Sequence, residues 1–247
     1  MEQRGDTMKQ VNLSDIIIPK LYPLFQDMPD VEDVIVTSGR AGTKSSALAI
    51  RGDYGALSQE TAIVFMRKNH NKLKNTVFAE SKRGFSRLGV RLDKAGRTTV
   101  SPMQIKIKHN GSVIFFTGSD NPDDTKGMID ETHSISMVMV DEITEFFKMG
   151  YDRGKEELEQ IKSTFIRGND DDFKMYYAFN PPKNPNAPVM KWVNEKKFLH
   201  DEDGNVLGLN HKVLHIHVTY LDVPVEWLGR RLVASAEEMK RVDEEYY

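Results

Sequence analysis

Residues 33–46, with the sequence DVIVTSGRAGTKSS, decide the fold of this 247-residue chain. The first six residues form a short run rich in β-branched side chains, which predicts a buried strand over 33–38. A helical pattern follows and predicts a helix over 45–57. In a strand–loop–helix unit the loop N–H groups and the helix N-terminus point to the same place, which favours an anion. The alternative is an ordinary turn in which a serine caps the helix.

The loop is a candidate phosphate-binding loop that departs from the general pattern G-x-x-x-x-G-K-[ST]. Ser38 and Thr43 stand where that pattern has glycine. Lys44 is placed to reach the β- and γ-phosphates of a nucleotide, and Ser45 to place its hydroxyl on Mg²⁺. Arg40 either folds over the γ-phosphate or is exposed to solvent. The candidate phosphate-binding residues are Ser38, Gly39, Arg40, Ala41, Gly42, Thr43, Lys44, Ser45 and Ser46.

A second motif follows about a hundred residues later. The apolar run ISMVMV at 135–140 predicts a buried strand, and Asp141 and Glu142 come directly after it. In phosphate-loop ATPases such a pair holds Mg²⁺ through the aspartate and polarises the attacking water through the glutamate. The alternative is a strand whose polar end reaches solvent. The order of the two motifs favours nucleotide hydrolysis.

A third motif ends another predicted strand, FKMYYAF at 173–179. Asn180 follows the strand, and two prolines then force an extended exit. A polar side chain at the carboxyl end of a sheet strand lies in the crevice where ligands bind, so Asn180 is placed beside the γ-phosphate. The alternative is a simple Asn-Pro turn.

The remaining segments alternate between apolar runs and helical patterns, which predicts an α/β fold with a mostly parallel central sheet flanked by helices. Further strands are expected over 62–67 and 212–219. Alternating segments within 104–116 flank Asn110-Gly111, which predicts an antiparallel hairpin added to the sheet. Helices are expected over 71–88, 152–167 and 227–247, and a proline-rich loop over 181–188.

Composition excludes several classes of function. Lys and Arg number 34 against 37 Asp and Glu, and a net charge of −3 excludes binding of nucleic acid through bulk positive charge. The chain has no cysteine, which excludes disulfide frameworks, cysteine zinc sites and thiol catalysis. No apolar run approaches the roughly 20 residues of a membrane span. The polar N-terminus is unlike a signal peptide, so we expect a soluble, cytoplasmic protein.

Charge is concentrated in one stretch. Residues 67–108 contain twelve Lys or Arg and two acids, a local balance of +10. One interpretation is the solvated face of a helix whose apolar side holds Leu73, Val77, Phe85 and Leu88. The other is a surface that faces phosphates, either of DNA or of a neighbouring subunit's nucleotide.

Three segments together resemble a known family. SGRAGTKSS at 38–46, VMVDEITEF at 138–146 and YYAFNPP at 176–182 are similar to the ATPase domain of tailed-phage terminase large subunits. The similarity extends to IVFMRK at 63–68, to FTGSDNPDDTK at 116–126, where Lys126 stands at a commonly basic position, and to TYLDVP at 219–224. The resemblance implies a P-loop NTPase fold of the ASCE type that binds ATP and Mg²⁺.

The resemblance also implies roles for single residues. Ser45 and Asp141 would hold Mg²⁺, Glu142 would be the catalytic carboxylate, and Asn180 would couple the γ-phosphate to movement. Arg40 would act on the γ-phosphate within its own chain. Tyr22 and Gln26 are the candidates for the adenine pocket, and Arg67, Arg83 and Arg167 for an arginine supplied by the next subunit.

At the level of the whole protein, the resemblance implies an N-terminal segment at 1–30, an ATPase core at 31–220 and a helical segment at 221–247 that leads towards a nuclease domain. The implied partners are double-stranded DNA, further copies in a ring on the portal, and the small terminase subunit, in the host cytoplasm and without a membrane. Three alternatives remain open: a helicase-like or recombinase-like motor, a nucleotide-binding module without turnover, and a plain DNA-binding domain.

Overall fold

A mixed β-sheet forms the centre of the computed structural model, which describes residues 10–39, 42–120, 133–166 and 173–242. The strands are β1 Asp33–Ser38, β2 Ala62–Arg67, β3 Gly96–Val100, β4 Met103–Ile107, β5 Val113–Gly118, β6 Ile135–Asp141, β7 Lys174–Phe179, β8 Phe198–His200, β9 Val206–Leu209 and β10 Val213–Val218. The helices are α1 Lys44–Ser58, α2 Val77–Arg87, α3 Leu92–Ala95, α4 Tyr151–Phe165, α5 Pro188–Lys197, α6 Val225–Leu228 and α7 Arg230–Val242.

The strand order of the main sheet is β10-β1-β7-β6-β2-β5-β4-β3. The neighbours from β10 to β5 are parallel, whereas β3, β4 and β5 pair antiparallel. The predicted mostly parallel sheet with an antiparallel addition is therefore confirmed. One strand, β7, separates β1 from β6. The segment that carries Asn180 consequently lies between the phosphate-loop strand and the strand that ends in the acidic pair.

Hydrophobic layers cover both faces of the sheet, because alternate side chains of each strand point to opposite faces. Val34 and Phe65 belong to the layer that packs against α1 and α2. Ile35 and Val64, their direct neighbours in sequence, belong to the layer formed with α4 and α5. Strands buried on both faces read as continuous apolar runs, which is why the core strands are recognisable in the sequence.

The carboxyl ends of the parallel strands meet at one edge of the sheet. Ser38 ends β1, Arg67 ends β2, Asp141 ends β6 and Asn180 follows β7. Ligands of open α/β sheets bind in the crevice outside these ends. The fold therefore assembles polar residues from four distant segments at one place.

The first helix of the basic stretch begins later than expected. The pattern predicts a helix from residue 71, but α2 starts at Val77, after a 3₁₀ turn at His70–Lys72. Thr76 Oγ1 donates a hydrogen bond to the carbonyl oxygen of Lys72 at 2.6 Å. Such local bonds from threonine compete with a continuous helix.

The helix α5, with buried Trp192, was not predicted, and further differences lie at the edges of the fold. The terminal helical segment is divided into α6 and α7 at Gly229, which has a φ of 79°. Strand β3 and the hairpin of β8 and β9 were not predicted, since their residues are mostly exposed and lack a regular apolar pattern.

Some expectations fall outside the described residues. The roles predicted for four residues cannot be compared with the structure for this reason: Arg40, Ala41, Lys126 and Arg167. The same holds for the ends of the predicted segments 152–167 and 227–247. The division at residues 30 and 220 stays a prediction. Leu21 and Leu24, from the proposed N-terminal segment, pack in the same hydrophobic layer as Val34 of β1.

Asp53 is a carboxylic acid enclosed between α1 and α2. Its Oδ1 accepts a hydrogen bond from Ser81 Oγ at 2.6 Å, and its Oδ2 has no hydrogen-bond partner in the described part of the chain. Burial raises the pKa of Asp53 well above its ordinary value, against the hydrogen bond from Ser81.

This burial predicts a pH dependence of stability. The folded protein retains the Asp53 proton where the unfolded chain releases it, so the free energy of unfolding falls as the pH rises from about 4 through the folded-state pKa. Asp53→Asn is expected to flatten this decline. Thermal melting across the pH range would measure it, with exposed Asp30→Asn as the control. Melting profiles that stay parallel to wild type would contradict the expectation.

Candidate nucleotide-binding site

A cleft of about 400 Å³ lies at the carboxyl edge of the sheet, between the candidate phosphate-binding loop and the start of α2. It is lined by polar residues from the loop, from β2 and β6 and from α2: Ser38, Gly39, Gly42, Thr43, Lys44, Ser45, Ser46, Arg67, Asn75, Thr76, Glu80, Asp141 and Glu142. Buried Phe65 and Met139 form part of its apolar wall. The described part of the predicted loop and the predicted acidic pair therefore face the same space.

Two loop residues show why this turn has its particular sequence. A Cβ atom on Gly42 would lie 2.2 Å from the Cβ of Ser38, so a larger residue would force the loop apart. Thr43 has a φ of 55°, a left-handed conformation that costs a non-glycine residue roughly 1 kcal/mol. This conformation accounts for the preference of the general pattern for glycine at the position that Thr43 occupies here. Strain of this kind concentrates at ligand-binding sites.

Lys44 is the first residue of α1 and is 7% exposed. Its Nζ donates a hydrogen bond to Asn180 Oδ1 at 2.6 Å. Burial lowers the pKa of Lys44, and the nearby Asp141 and Glu142 carboxylates oppose that shift. The structure thus brings Lys44 and Asn180, which are predicted from separate motifs, into direct contact.

Ser45 and Asp141 meet across the cleft. Ser45 Oγ donates to Asp141 Oδ1 at 3.4 Å. A hydroxyl and a carboxylate oxygen are hard ligands of the kind that Mg²⁺ prefers, and Mg²⁺ usually takes few protein ligands beside phosphates and water. The residues present therefore fit the metal. Burial raises the pKa of Asp141, while the positive charges of Arg67 and Lys44 oppose that shift.

Glu142 follows β6 in a left-handed conformation, with φ 58° and ψ 52°. Thr144 Oγ1 donates to Glu142 Oε1 at 3.2 Å, which restrains the carboxylate beside the cleft. A carboxylate that lines the cleft next to the candidate metal ligand is chemically able to orient or deprotonate a water molecule.

Two carboxylates that the sequence did not single out also belong to the site. Glu80 of α2 lines the cleft and accepts a hydrogen bond from Ser46 Oγ at 3.1 Å. Glu145 lies within 4.0 Å of Arg67 Nη2 and accepts a hydrogen bond from Lys72 Nζ at 2.5 Å. The sequence offered one indication of Glu80: it is the only acidic residue in the otherwise basic segment 67–91.

A family model described as phage terminase large subunit matches residues 32–247. This match spans most of the chain and includes all three motifs. The chain belongs to the phage terminase large subunit family. The fold class and the resemblance predicted from the motifs are thereby confirmed.

Individual members of this family are only distantly similar. The PBSX phage terminase large subunit of Bacillus subtilis is 27% identical over 139 residues, which are 55% of this chain and 30% of that protein. The large terminase of thermophilic bacteriophage D6E is 14% identical, with a TM-score of 0.63 over 90% of this chain and 50% of that one. The N-terminal domain of the DNA packaging ATPase from bacteriophage phi29 is 15% identical, with a TM-score of 0.50 over 76% of this chain and 90% of that one. This terminase chain thus spans half or less of the first two relatives.

The candidate adenine-binding residues of this terminase chain, Tyr22 and Gln26, do not line the cleft described above. Tyr22 packs on the hydrophobic layer of β1 and α1, and Gln26 is exposed. A second cleft, of about 330 Å³, shares Thr43 and Ser46 with the first. Its described lining includes Ile17 and Trp227 but neither Tyr22 nor Gln26, whose roles stay predictions.

Carboxylates neutralise part of the charge of the basic stretch in this terminase chain. The predicted burial is confirmed for Val77 and Phe85 of α2 and for Leu73, which precedes the helix, whereas Leu88 is partly buried. The cations pair with acids from distant segments as well as near ones: Arg67 with Asp141 and Glu145, Lys68 with Glu157, Lys72 with Glu145, Arg83 and Arg87 with Glu80, and Arg91 with Asp93. The local excess of +10 therefore does not create an equivalent free basic surface.

Among the described helices, none combines the length and the hydrophobicity that a bilayer crossing requires.

Proposed function

We propose that this chain is the ATP-hydrolysing part of a DNA-packaging motor that moves double-stranded DNA into a viral procapsid. The observation that carries the proposal is the meeting of Lys44, Ser45, Asp141, Glu142 and Asn180 at one cleft in a terminase-family chain. Solved structures of the D6E large terminase include complexes with ADP and with ATP-gamma-S. The phi29 relative is described as a DNA packaging ATPase.

The residues of this chain divide the work of hydrolysis. Lys44 and the loop N–H groups bind the β- and γ-phosphates. Ser45 and Asp141 would hold Mg²⁺, which would neutralise charge on the phosphate oxygens. Glu142 accepts a proton from the attacking water as the water oxygen bonds to the γ-phosphorus. The bond between that phosphorus and the bridging oxygen breaks, and ADP and phosphate leave. Arg40 is proposed to stabilise the charge of the transferring phosphoryl group from the same chain.

The partners are proposed at the level of the whole motor. They are double-stranded DNA, further copies of the chain in a ring on the portal, and the small terminase subunit, in the cytoplasm of the host cell. The adenine contacts of Tyr22 and Gln26 are kept as part of this proposal, with the cleft beside Ile17 and Trp227 as the competing position for the base.

The direct test is phosphate release from ATP by the purified chain, with Mg²⁺, with a chelator, and with double-stranded DNA. We expect release that requires Mg²⁺ and rises with DNA. Strand displacement on a forked duplex would favour the helicase-like alternative. Tight nucleotide binding without any release, with or without DNA, would favour a binding module. DNA binding with a salt dependence that an ATP analogue leaves unchanged would favour a plain DNA-binding domain.

Asn180 provides the proposed link between hydrolysis and movement. Its amide contacts Lys44, and Pro181 and Pro182 stiffen the chain that leaves the site. Asn180→Ala in the full-length protein is therefore expected to bind ATP within a few-fold of wild type and to package DNA poorly. Nucleotide titration and a packaging assay would measure both properties.

The matched control is Asn184→Ala, in the same proline-rich loop. Asn184 Oδ1 accepts a hydrogen bond from the backbone N–H of Asn186. If Asn180→Ala packages DNA at the wild-type rate, the coupling role is wrong. A lowered melting temperature with intact packaging by the folded fraction would assign Asn180 to the turn alone.

A further inference from the structure

Arg67 is a buried cation at the centre of the candidate site. It ends β2, next to the end of β6, and only 8% of the residue is exposed. Its side chain lines the same cleft as Lys44, Asp141 and Glu142. The sequence offered Arg67 as an arginine donated to a neighbouring subunit, but the structure places it in the cleft of its own chain.

The contacts of Arg67 with carboxylates are longer than well-formed charged hydrogen bonds. Its Nε is 3.5 Å from Asp141 Oδ2, and its Nη2 is 4.0 Å from Glu145 Oε2. Well-formed bonds between charged nitrogen and oxygen atoms are about 2.7–2.9 Å long. The Nε atom is buried and has no hydrogen-bond partner among the described residues. A buried guanidinium with an unmet Nε donor carries an energetic cost that an added anion would reduce.

The surroundings of Arg67 restrict which anion can accept hydrogen bonds from its guanidinium. Glu145 accepts hydrogen bonds from Lys72 at 2.5 Å and from Asn69 at 3.5 Å, both in the segment that follows β2. These bonds hold the Glu145 carboxylate away from the guanidinium of Arg67. Asp141 is the carboxylate proposed to hold Mg²⁺, and binding the metal would draw it from Arg67. The open side of Arg67 faces the cleft where Lys44 binds phosphates, and a planar guanidinium suits phosphate oxygens.

We propose that Arg67 contacts the terminal phosphate of a nucleoside triphosphate bound in the cleft of its own chain. In the free protein Arg67 rests on Asp141, and in the bound state it exchanges that carboxylate for the phosphate. The proposal rests on the proposed function, because it assumes that the cleft binds a nucleotide. It makes Arg67 a residue that distinguishes triphosphate from diphosphate.

Calorimetric titration of the chain with Mg²⁺ and either ATP-gamma-S or ADP tests the proposal. Arg67→Ala is expected to weaken ATP-gamma-S binding about tenfold and to change ADP binding less than about twofold. Arg67→Lys retains the charge but not the planar fork, and we expect an intermediate loss. The matched control is Arg153→Ala, at an exposed position of α4 that does not line the cleft.

Several results would overturn the proposal. Equal losses for both nucleotides would make Arg67 a structural residue, and unchanged ATP-gamma-S binding would remove it from the site. Recovery of ATP-gamma-S binding on mixing Arg67→Ala chains with Lys44→Ala chains would show that Arg67 acts between subunits. A failure of the proposed function would give a different result in the same titrations. Either the wild-type chain would bind neither nucleotide, or Lys44→Ala would bind both nucleotides with wild-type affinity.

Discussion

Glu142→Gln is expected to leave ATP binding near the wild-type value and to lower turnover by about 10²-fold or more, the range of general-base catalysis. Glutamine keeps the shape of glutamate and can still accept the hydrogen bond from Thr144 Oγ1, which is 3.2 Å long in the structure. It loses the negative charge that accepts the proton from water. The effect should therefore appear in the rate and not in the affinity.

Steady-state phosphate release and nucleotide titration would separate these two effects. Glu156→Gln, at an exposed position of α4, is the matched control for loss of one carboxylate. A Glu142→Gln variant that hydrolyses ATP at the wild-type rate would remove Glu142 from the proposed mechanism. A variant that loses binding as well would indicate that the left-handed backbone at this position depends on the carboxylate.

Lys44→Ala is expected to weaken ATP binding by roughly 2 kcal/mol or more, because a charged hydrogen bond to phosphate is lost within a buried site. In the free protein the Lys44 Nζ is held by Asn180 Oδ1 at 2.6 Å, so the ammonium group is positioned before the nucleotide arrives. Removal of the side chain also takes away a positive charge that opposes the raised pKa of Asp141. Metal binding should suffer together with phosphate binding.

Calorimetry with Mg²⁺ and ATP would measure the loss. Lys20→Ala is the control, since Lys20 forms an exposed ion pair with Asp222. Lys44→Met, which keeps most of the buried aliphatic stem, distinguishes loss of the charge from loss of packing. Equal ATP affinity in wild type and Lys44→Ala would show that the loop assignment is wrong.

The sequence by itself determined the elements whose signals are local. The strand over 33–38 was predicted with the bounds that the structure shows, because its β-branched side chains favour a strand. The acidic pair at the end of β6 and Asn180 after β7 were identified because each directly follows a mostly apolar run. The three segments around these motifs also carried the resemblance to the terminase family, which the family model confirms.

The tertiary structure decided which side chains meet. The contacts between Arg67 and Asp141, and between Ser46 and Glu80, depend on strand order and on how α2 packs on α1. No local pattern encodes either. The basic stretch shows the same limit: its charge is visible in the sequence, but carboxylates such as Glu145 and Glu157, which neutralise part of it, come from segments far along the chain. Backbone periodicity is a local property, whereas the pairing of charges requires the fold.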